Sequence, residues 1–345
     1  MSTSVDQSVN QILIELGVEE FEFIPLQKPL SAQHFQSWIE KGFAADMSFL
    51  RQSQAVRSDP RSEFQSMHSM IVFRHPYFPH PQSEGFPFRE LKIAHYARGK
   101  DYHFWFREKL QKIIQSLKAY FPDEQFLAFT DAVPLMERDH AYQAGLGWVG
   151  KNTCLIHPKK GSLFFIGEIL TSLHSKNNPQ TLPDFCGKCT ACIDACPTSA
   201  LKDDKVLDSN LCIAFWNIES KDVPPSKLRQ PMGDWFFGCD LCQTVCPWNL
   251  KLFKDHSNFA QETSANLPAL EEELRQILTL SNKQLLKLLH DTPLSRAGGR
   301  GLKRNAILVA VHHALAGLIP HIEPLRDDPR LGSFATWAIQ ELKDL

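Results

Sequence analysis

The sequence lacks the features that send a chain into or across a membrane. Its first residues, MSTSVDQSVNQILIEL, contain no basic segment followed by a continuous apolar run, so they do not resemble a signal peptide. No stretch approaches the roughly eighteen uninterrupted apolar residues of a membrane-spanning helix. Strong charge of one sign is also missing, because the formal net charge is −2 at pH 7. We therefore expect a cytoplasmic protein whose contacts with nucleic acid, if any, depend on a local basic patch.

Cysteine is scarce outside one region of the chain. The 345 residues include nine cysteines, and eight of them lie between positions 186 and 246. The hydrophobic share of 43% and the charged share of 22% are ordinary for a globular protein of two or three compact units. In a reducing compartment, clustered cysteines bind metal more often than they form disulfides.

The first cysteine run has the spacing of a bacterial ferredoxin. Cys186, Cys189, Cys192 and Cys196 follow the pattern C-x2-C-x2-C-x3-C, and Pro197 comes next. Zinc sites prefer two cysteine pairs separated by a longer loop, which this dense run does not provide. The spacing therefore predicts iron–sulfur ligation, in which the fourth cysteine binds a second cluster.

A second run completes two ligand sets. It contains Cys239, Cys242 and Cys246, while Phe236 stands where a leading cysteine would be, and Cys212 lies between the runs. The crossing rule of ferredoxins then predicts two 4Fe–4S clusters. One is bound by Cys186, Cys189, Cys192 and Cys246, and the other by Cys196, Cys212, Cys239 and Cys242. Cys154 is interpreted as a small buried hydrophobe.

The periodicity of the remaining chain predicts an α+β protein in three parts. Residues 1–175 mix helices (6–20, 102–121 and about 135–145) with apolar strands (69–73, 125–129, 153–157 and 163–170). Residues 176–255 hold the ferredoxin-like module. Residues 256–345 show paired helical patterns joined by Asp-Pro turns, as in HEAT-type repeats, and too few of them to stand alone. We expect this last unit to pack on the rest.

One local charge bias lies in the C-terminal unit. Residues 283–304 contain six lysines or arginines and one acidic residue. Composition alone favours a solvated helix face. The alternative is a phosphate-binding surface near a helix start, formed by Arg296, Arg300, Lys303 and Arg304.

Two motifs in the N-terminal part have competing interpretations. Residues 145–150, GLGWVG, match a dinucleotide-binding pattern but lack the preceding strand and the following helix, so the glycines serve a planar ligand or a tight turn. Asp131 ends a predicted strand, where a carboxylate caps a turn or donates a proton into a cleft. Asp101 and His103 lack the glycine of the D-x-H-x-x-G cobalamin motif, because Phe106 stands there, and are interpreted as features of a helix N-terminus.

Several segments together resemble the epoxyqueuosine reductase family. They are residues 130–170, the cysteine pattern with GCDLCQTVCPWN, and residues 292–311, and the resemblance extends from about residue 45 to the C-terminus. The family is related to reductive dehalogenases. The resemblance implies a cobalamin-binding (corrinoid-binding) catalytic domain in residues 1–175 and a tRNA-binding domain in residues 256–345. It also implies the last step of queuosine biosynthesis, the reduction of epoxyqueuosine in a transfer RNA anticodon, with electrons passing from two 4Fe–4S clusters to cobalt.

The resemblance also assigns residues. Asp131 matches the family's general acid, and the missing motif agrees with a corrinoid that has no histidine below cobalt. The corrinoid contacts implied are Arg57, Asp131, Lys151, Asn152 and His157. In this context the basic stretch is predicted to bind the anticodon stem–loop, whose single-stranded bases can be splayed into a pocket. A low-potential electron donor is a further partner, and a monomer suffices.

Two alternatives stay open at this point. One is a dehalogenase-like corrinoid enzyme for a small molecule, which would need no basic helical tail. The other is a non-catalytic RNA-binding protein whose iron–sulfur clusters are structural. Bound corrinoid distinguishes an enzyme from the second, and loss of tRNA binding on charge reversal of Arg300 and Arg304 distinguishes an RNA substrate from a small one.

Overall fold

The computed structural model describes residues 4–78, 86–131, 133–202, 205–255 and 266–344. The strands are β1 (Phe21–Pro25), β2 (Ser69–Pro76), β3 (Lys92–Ile93), β4 (Phe126–Thr130), β5 (Trp148–Val149), β6 (Leu155–Ile156), β7 (Phe164–Thr171), β8 (Leu201–Lys202), β9 (Val206–Leu207) and β10 (Trp235–Phe237). The helices are α1 (Val5–Glu15), α2 (Ala32–Glu40), α3 (Ser48–Gln52), α4 (Gln54–Ser58), α5 (Tyr102–Tyr120), α6 (Glu137–Gln143), α7 (Ala191–Asp194), α8 (Ser226–Arg229), α9 (Leu241–Thr244), α10 (Pro247–Asp255), α11 (Leu267–Thr279), α12 (Asn282–Leu288), α13 (Gly298–His312), α14 (Ile319–Ile322) and α15 (Gly332–Asp344). Among the described residues, no helix has both the length and the apolar character needed to cross a membrane.

An antiparallel sheet in the order β1-β2-β7-β4 forms the centre of the N-terminal part. Side chains alternate along β2, so that Ile71 and Phe73 pack with α1 and α5 on one face. Met70 and Val72 pack with α6 on the other face. The mixed α and β character predicted for this part is confirmed.

The contact between α5 and the sheet is unusually close. A Cβ atom at Gly167 in β7 would lie 2.8 Å from Cζ of Phe106, so only glycine permits this approach. The first turn of α5 therefore lies close to β7 and its neighbour β4. Residues 101–103 and Asp131, which follows β4, are brought together by this packing.

The C-terminal helices share a core with earlier parts of the chain. This core joins α11 to α15 with the parallel pair β3–β10, and it includes Ile93, Ile213 and Phe236, all nearly inaccessible to solvent. Phe236, at the position of the missing cysteine, is a core residue. The prediction that the helical unit packs on the rest is confirmed, and all three predicted parts contribute to one core. The domain boundary predicted at residue 256 falls at the start of residues 256–265, which lie outside the described residues.

Two predicted elements are shorter than expected. The helix predicted over residues 6–20 ends at Glu15, because Gly17 has φ of 70° and β1 follows. The strand predicted over residues 153–157 is limited to Leu155–Ile156, since Thr153 has φ of 63° within the turn closed by the bond from the Gly150 amide to the Cys154 carbonyl. Local left-handed backbone ends both elements.

Candidate active site

Four cysteines, here called the outer set, range from exposed Cys189 to buried Cys246. Cys186, Cys189 and Cys192 lie in and before α7, and Cys246 precedes α10. The pKa of the Cys246 thiol is raised to about 11, first by burial and then by the charges of Cys186 and Cys192. Cys189 is the one thiol of the nine that is exposed to solvent.

The other four ligand candidates, the inner set, are all half-buried. The pKa of Cys239 is raised to about 12 by burial, to which the charges of Cys212 and Cys196 add. A hydrogen bond with Cys154 is the largest cause that raises the pKa of Cys242, followed by burial and the charges of Cys239 and Cys212. The thiols that influence one another are thus those the spacing assigns to the second cluster. Cys154, interpreted as a simple hydrophobe, contacts this set.

The chemistry of both sets suits iron. Thiolates, rather than thiols, ligate iron–sulfur clusters, and thiols whose pKa is raised by burial and by each other stay protonated without a compensating cation. Bound iron supplies that positive charge. Four sulfur donors in each set match the requirement of a 4Fe–4S cluster.

The turn at residues 150–154 rests against the inner set. The Asn152 amide Nδ2 donates to the Cys242 carbonyl at 3.2 Å, and its Oδ1 accepts from the Cys154 amide at 3.2 Å. Thr153 is a β-branched residue in the left-handed region, a strained conformation that is concentrated at functional sites. Arg138, on α6, donates to the Thr153 carbonyl at 2.6 Å. The turn therefore connects α6 to the cysteines.

A second polar cluster surrounds Asp131, whose side chain is 50% exposed. The Tyr102 hydroxyl donates to Oδ2 of Asp131, and Nε2 of His103 lies 2.6 Å from Oδ1. On the other side of the ring, Nδ1 of His103 lies 2.6 Å from Oδ1 of Asp101. Asp101 also caps α5 by accepting the His103 amide hydrogen at 3.0 Å.

The ionisation states in this cluster follow from its charges. Burial alone would lower the pKa of His103, but the carboxylates of Asp101 and Asp131 outweigh it and raise that pKa to about 10. His103 is thus an imidazolium at neutral pH and donates from both nitrogens. Burial and the charge of Asp131 raise the pKa of Tyr102, which keeps its phenol protonated. Asp131 accepts from two donors, and a titratable proton lies beside it on His103.

A half-buried tyrosine lies between this cluster and the inner cysteines. The pKa of Tyr96 is raised, first by burial and then by the charges of Asp240 and Asp131. Asp240 follows Cys239 and is only 1% exposed. It accepts the His95 amide hydrogen at 2.6 Å. The Tyr96 ring centroid lies 6.2 Å from that of Tyr102 in the Asp131 cluster, and the neighbouring His95 binds the residue next to an inner-set thiol.

The predicted corrinoid contacts are mostly engaged with protein groups. The Arg57 guanidinium donates to the Leu135 carbonyl at 2.8 Å, and Asn152 bonds the inner-set loop. His157 accepts two backbone amide hydrogens of the following turn, and burial and nearby cations lower its pKa to about 4. Lys151 is half-buried, with no hydrogen bond recorded within the described part of the chain. The features that suit a large ligand are the strained turn and the half-exposed Asp131.

The glycines of residues 145–150 are explained by packing. A Cβ atom at Gly147 would lie 2.6 Å from the Ile156 carbonyl oxygen, across the β5–β6 pair. Gly145 has φ of 70°, and its Cβ would lie 2.9 Å from the Gln180 carbonyl oxygen. Helix α6 precedes the motif, strand β5 lies within it and β6 follows it, which differs from the strand–motif–helix context of a dinucleotide site. Of the two interpretations, the structure favours the tight turn over a planar ligand.

The four basic residues predicted to face RNA divide into two pairs. Arg296 and Arg300 are 59% and 48% exposed. Arg296 pairs with both carboxylate oxygens of Glu219, at 3.0 and 2.8 Å, and the charge of Asp131 also acts on its guanidinium. Arg300 pairs with Asp328 at 2.9 Å. A backbone bond of 2.7 Å from the Asp101 amide to the carbonyl of residue 291 brings this region close to the Asp131 cluster.

Lys303 and Arg304 lie in the interior, and their predicted surface role is corrected. They are 9% and 2% exposed. The Arg304 guanidinium donates to the carbonyls of Ser220 and Asp222 at 2.7 and 2.8 Å, and burial lowers its pKa to about 10. The reason is helix geometry: α13 is buried along nearly its whole length, so successive basic residues at its start point both outward and inward.

Several groups at the site were not predicted from the sequence. Asp101 and His103 were assigned only to a helix N-terminus, which is correct for Asp101 and incomplete for His103, and Tyr102 was not singled out. Tyr96 and Asp240 were not singled out. The sequence indicated a helix start near residue 101 and a strand end near residue 130. No local pattern shows that these two ends meet in the fold.

The family models and the sequence relatives that match this chain agree with one another. A family described as "Epoxyqueuosine reductase QueG, DUF1730" matches residues 57–132, and a "4Fe-4S double cluster binding domain" matches residues 185–249. An epoxyqueuosine reductase of Cyclobacterium marinum is 34% identical over 84% of this chain and 90% of its own length. One from Pseudomonas aeruginosa is 33% identical over 93% of this chain and 88% of its own.

Solved structures agree with the sequence relatives. A structure of epoxyqueuosine reductase from Streptococcus thermophilus superposes with a TM-score of 0.81, at 23% identity, over 99% of this chain and 91% of the other, which shows the fold. A crystal structure of epoxyqueuosine reductase with an epoxyqueuosine-modified tRNA-Tyr stem loop superposes with a TM-score of 0.79 at 26% identity, over 97% of this chain and 89% of the other.

Proposed function

The chain belongs to the epoxyqueuosine reductase family and is an oxidoreductase with a 4Fe–4S double-cluster domain, and we propose that it completes queuosine synthesis on transfer RNA. It reduces epoxyqueuosine at the wobble position to queuosine, with cobalamin as a further cofactor. The observation that carries the proposal is the packing of Tyr96 against Tyr102 of the Asp131 cluster, with ring centroids 6.2 Å apart, while the neighbouring His95 binds Asp240, which follows Cys239. Proton donors thus lie close to the inner cysteine set.

Two 4Fe–4S clusters occupy the cysteine sets. The outer set holds one through Cys186, Cys189, Cys192 and Cys246, and the inner set holds the other through Cys196, Cys212, Cys239 and Cys242. The mutual influence of the thiols within each set supports this assignment. Electrons reach the reaction site from the inner cluster, because the inner set is the one beside Asp240 and Tyr96.

Asp131 delivers the proton that epoxide opening requires. Negative charge develops on the epoxide oxygen as its C–O bond breaks, and a positioned acid lowers that barrier. Asp131 accepts a hydrogen bond from the His103 imidazolium, so it takes that proton and passes it to the oxygen. Asp101 orients His103, and Tyr102 holds the second carboxylate oxygen. Two protons and two electrons convert the epoxide to an alkene and water.

The turn at residues 150–154 and Asp131 would hold a corrinoid, which when bound would supply a low-potential cobalt nucleophile for the epoxide. His103 does not ligate cobalt, because both of its ring nitrogens bind carboxylates. Lys151 is available for a polar side chain of the cofactor. Arg57, Asn152 and His157 stabilise the walls of the proposed corrinoid site through their hydrogen bonds to protein groups.

The anticodon stem–loop approaches over the start of the C-terminal helical part. Arg296 and Arg300 are exposed, and the carbonyl of residue 291, shortly before them in the chain, accepts the Asp101 amide hydrogen beside the Asp131 cluster. Their carboxylate partners, Glu219 and Asp328, hold the guanidinium groups in place until phosphate replaces or joins them. The proposal also includes a HEAT-like fold for residues 256–345, the division into three domains, a monomeric state and a cytoplasmic location.

An anaerobic assay tests the proposal. Iron-replete protein, cobalamin, dithionite and an anticodon stem–loop bearing epoxyqueuosine are combined, and the nucleoside is analysed by mass spectrometry. We expect loss of one oxygen atom from the substrate. Conversion without cobalamin would refute the cofactor alone, whereas an unchanged nucleoside with fully loaded protein would refute the function.

A further inference from the structure

The loop at residues 185–190 brings an outer-set thiol to the solvent. It reads FCGKCT, and Cys189 within it is the exposed member of the nine cysteines. Gly187 has φ of 50° and open space where a Cβ would be, so the loop projects from the surface rather than packing against it. Because electron tunnelling weakens steeply with distance, an exposed ligand marks the shortest route from outside to the clusters.

An aromatic surface adjoins this thiol. Phe185 is 44% exposed, and its ring centroid lies 5.0 Å from that of Trp148 and 5.9 Å from that of Trp248. Trp248 in turn packs near Cys186 and Cys246. A rigid, partly exposed aromatic side chain on a well-packed base is the kind of anchor that protein interfaces use.

The charge on this loop is positive. Lys188 is the single charged residue within residues 185–190, and it is exposed. Asp184, just before the loop, is paired with Lys205 at 2.9 Å, which offsets its negative charge. No ion pair or hydrogen bond of the Lys188 ammonium is recorded among the described residues. An approaching acidic surface would therefore meet an uncompensated cation beside the exposed thiol.

We infer that the 185–190 loop is the docking surface for an acidic one-electron carrier protein, of the flavin or iron–sulfur class. Each encounter oxidises the carrier by one electron and reduces the outer cluster by one, and two encounters supply one epoxide reduction. Phe185 provides the apolar contact and Lys188 the charge. The inference rests on the proposed function, since it assumes that electrons pass from the outer set to the inner set.

Charge reversal with two electron sources tests this inference. Lys188→Glu and Phe185→Ser are compared with Lys343→Glu, an exposed lysine on α15. Turnover is driven either by a reduced flavodoxin as the carrier or by excess dithionite, with iron content measured in parallel. With flavodoxin, we expect kcat/KM to fall about tenfold in Lys188→Glu and in Phe185→Ser, and to stay unchanged in Lys343→Glu. With dithionite, all variants should match the wild type.

The two electron sources, flavodoxin and dithionite, distinguish failure of this inference from failure of the proposed function. Equal losses with flavodoxin and dithionite would show that the loop serves the cluster itself, and no loss with either would place docking elsewhere; both results overturn the inference. Failure of the wild-type protein with dithionite would instead refute the proposed function. Relative to the dithionite-driven rate at the same salt concentration, added salt should lower the flavodoxin-driven rate more in the wild type than in Lys188→Glu.

Discussion

The outer and inner cysteine sets have different surroundings. The outer set has an exposed thiol, an aromatic neighbour in Phe185 and a lysine, and no carboxylate cluster of the Asp131 kind beside it among the described residues. The inner set adjoins a buried aspartate, Asp240, and a half-buried tyrosine, Tyr96, which packs against Tyr102 of the Asp131 cluster. These two environments agree with the proposed direction of electron flow, from the outer set to the inner set.

The largest expected effect comes from removing an inner ligand. Cys212→Ala should retain about four of about eight irons per chain and lose turnover with every reductant, because the route to the Asp131 cluster ends at the outer cluster. Iron analysis and the dithionite-driven assay measure this. Cys154→Ala is the matched control, since Cys154 contacts the inner set without belonging to it, and should keep all of its iron. Full iron in Cys212→Ala would contradict the ligand assignment.

The second-largest effect on turnover is expected from Asp131→Asn. The variant keeps the shape of the side chain but lacks a group that relays a proton, so we expect kcat to fall by about 10² to 10⁴ with either electron source. Iron and bound cobalamin should be unchanged, as measured by their absorption spectra. Normal turnover in this variant would exclude Asp131 as the acid and leave His103 or Tyr102 in that role.

A smaller effect is expected on tRNA affinity. Arg296→Ala and Arg300→Ala should each weaken stem–loop binding and reduce the slope of log affinity against log salt by about 0.7 to 0.9, the value for one phosphate contact. Binding titrations at several salt concentrations measure this. Lys118→Ala, an exposed lysine on α5, is the control. Slopes equal to that of the wild type would remove these arginines from the interface while leaving the redox assignments intact.

The smallest expected effect is a pH-dependent change in stability that involves His103 beside Asp131. The native pKa of His103 is raised to about 10, whereas an unfolded histidine titrates near 6.5. Its stabilising contribution is therefore full below about pH 6.5 and is lost as pH rises toward 10. Anaerobic thermal unfolding should show His103→Gln less stable than the wild type at pH 6, with the difference disappearing near pH 10. His34→Gln, exposed on α2, is the control, and a difference independent of pH would contradict the assigned charge state.

Much of the site followed from short-range sequence. The spacing of the first cysteine run assigns ligands because residues two and three apart in a tight turn must lie together. Cys212 was assigned by counting the remaining cysteines. Asp131 was singled out at the end of a predicted strand, and its role as an acid is what the family resemblance implies. The amphipathic pattern of α5 likewise predicted its bounds almost to the residue, since one helix face must be apolar.

Long-range contacts could not be predicted in this way. His103 and Asp131 are distant in sequence and meet only because α5 packs closely over Gly167. The glycines of residues 145–150 suggested a ligand, yet their Cβ positions are filled by the neighbouring strand and by residue 180. A glycine pattern reports close approach, but it does not say what approaches.

The sequence by itself determined the cluster chemistry, because iron ligands are set by residue type and by spacing along a few turns of chain. Only the tertiary structure decided which cysteine faces solvent, which carboxylate shares a proton with His103, and which of the basic residues stay outside. Lys303 and Arg304 share a basic segment with Arg300 and are nevertheless buried. Burial depends on which helix faces meet across the fold, and that choice is made by packing between distant segments rather than by local composition.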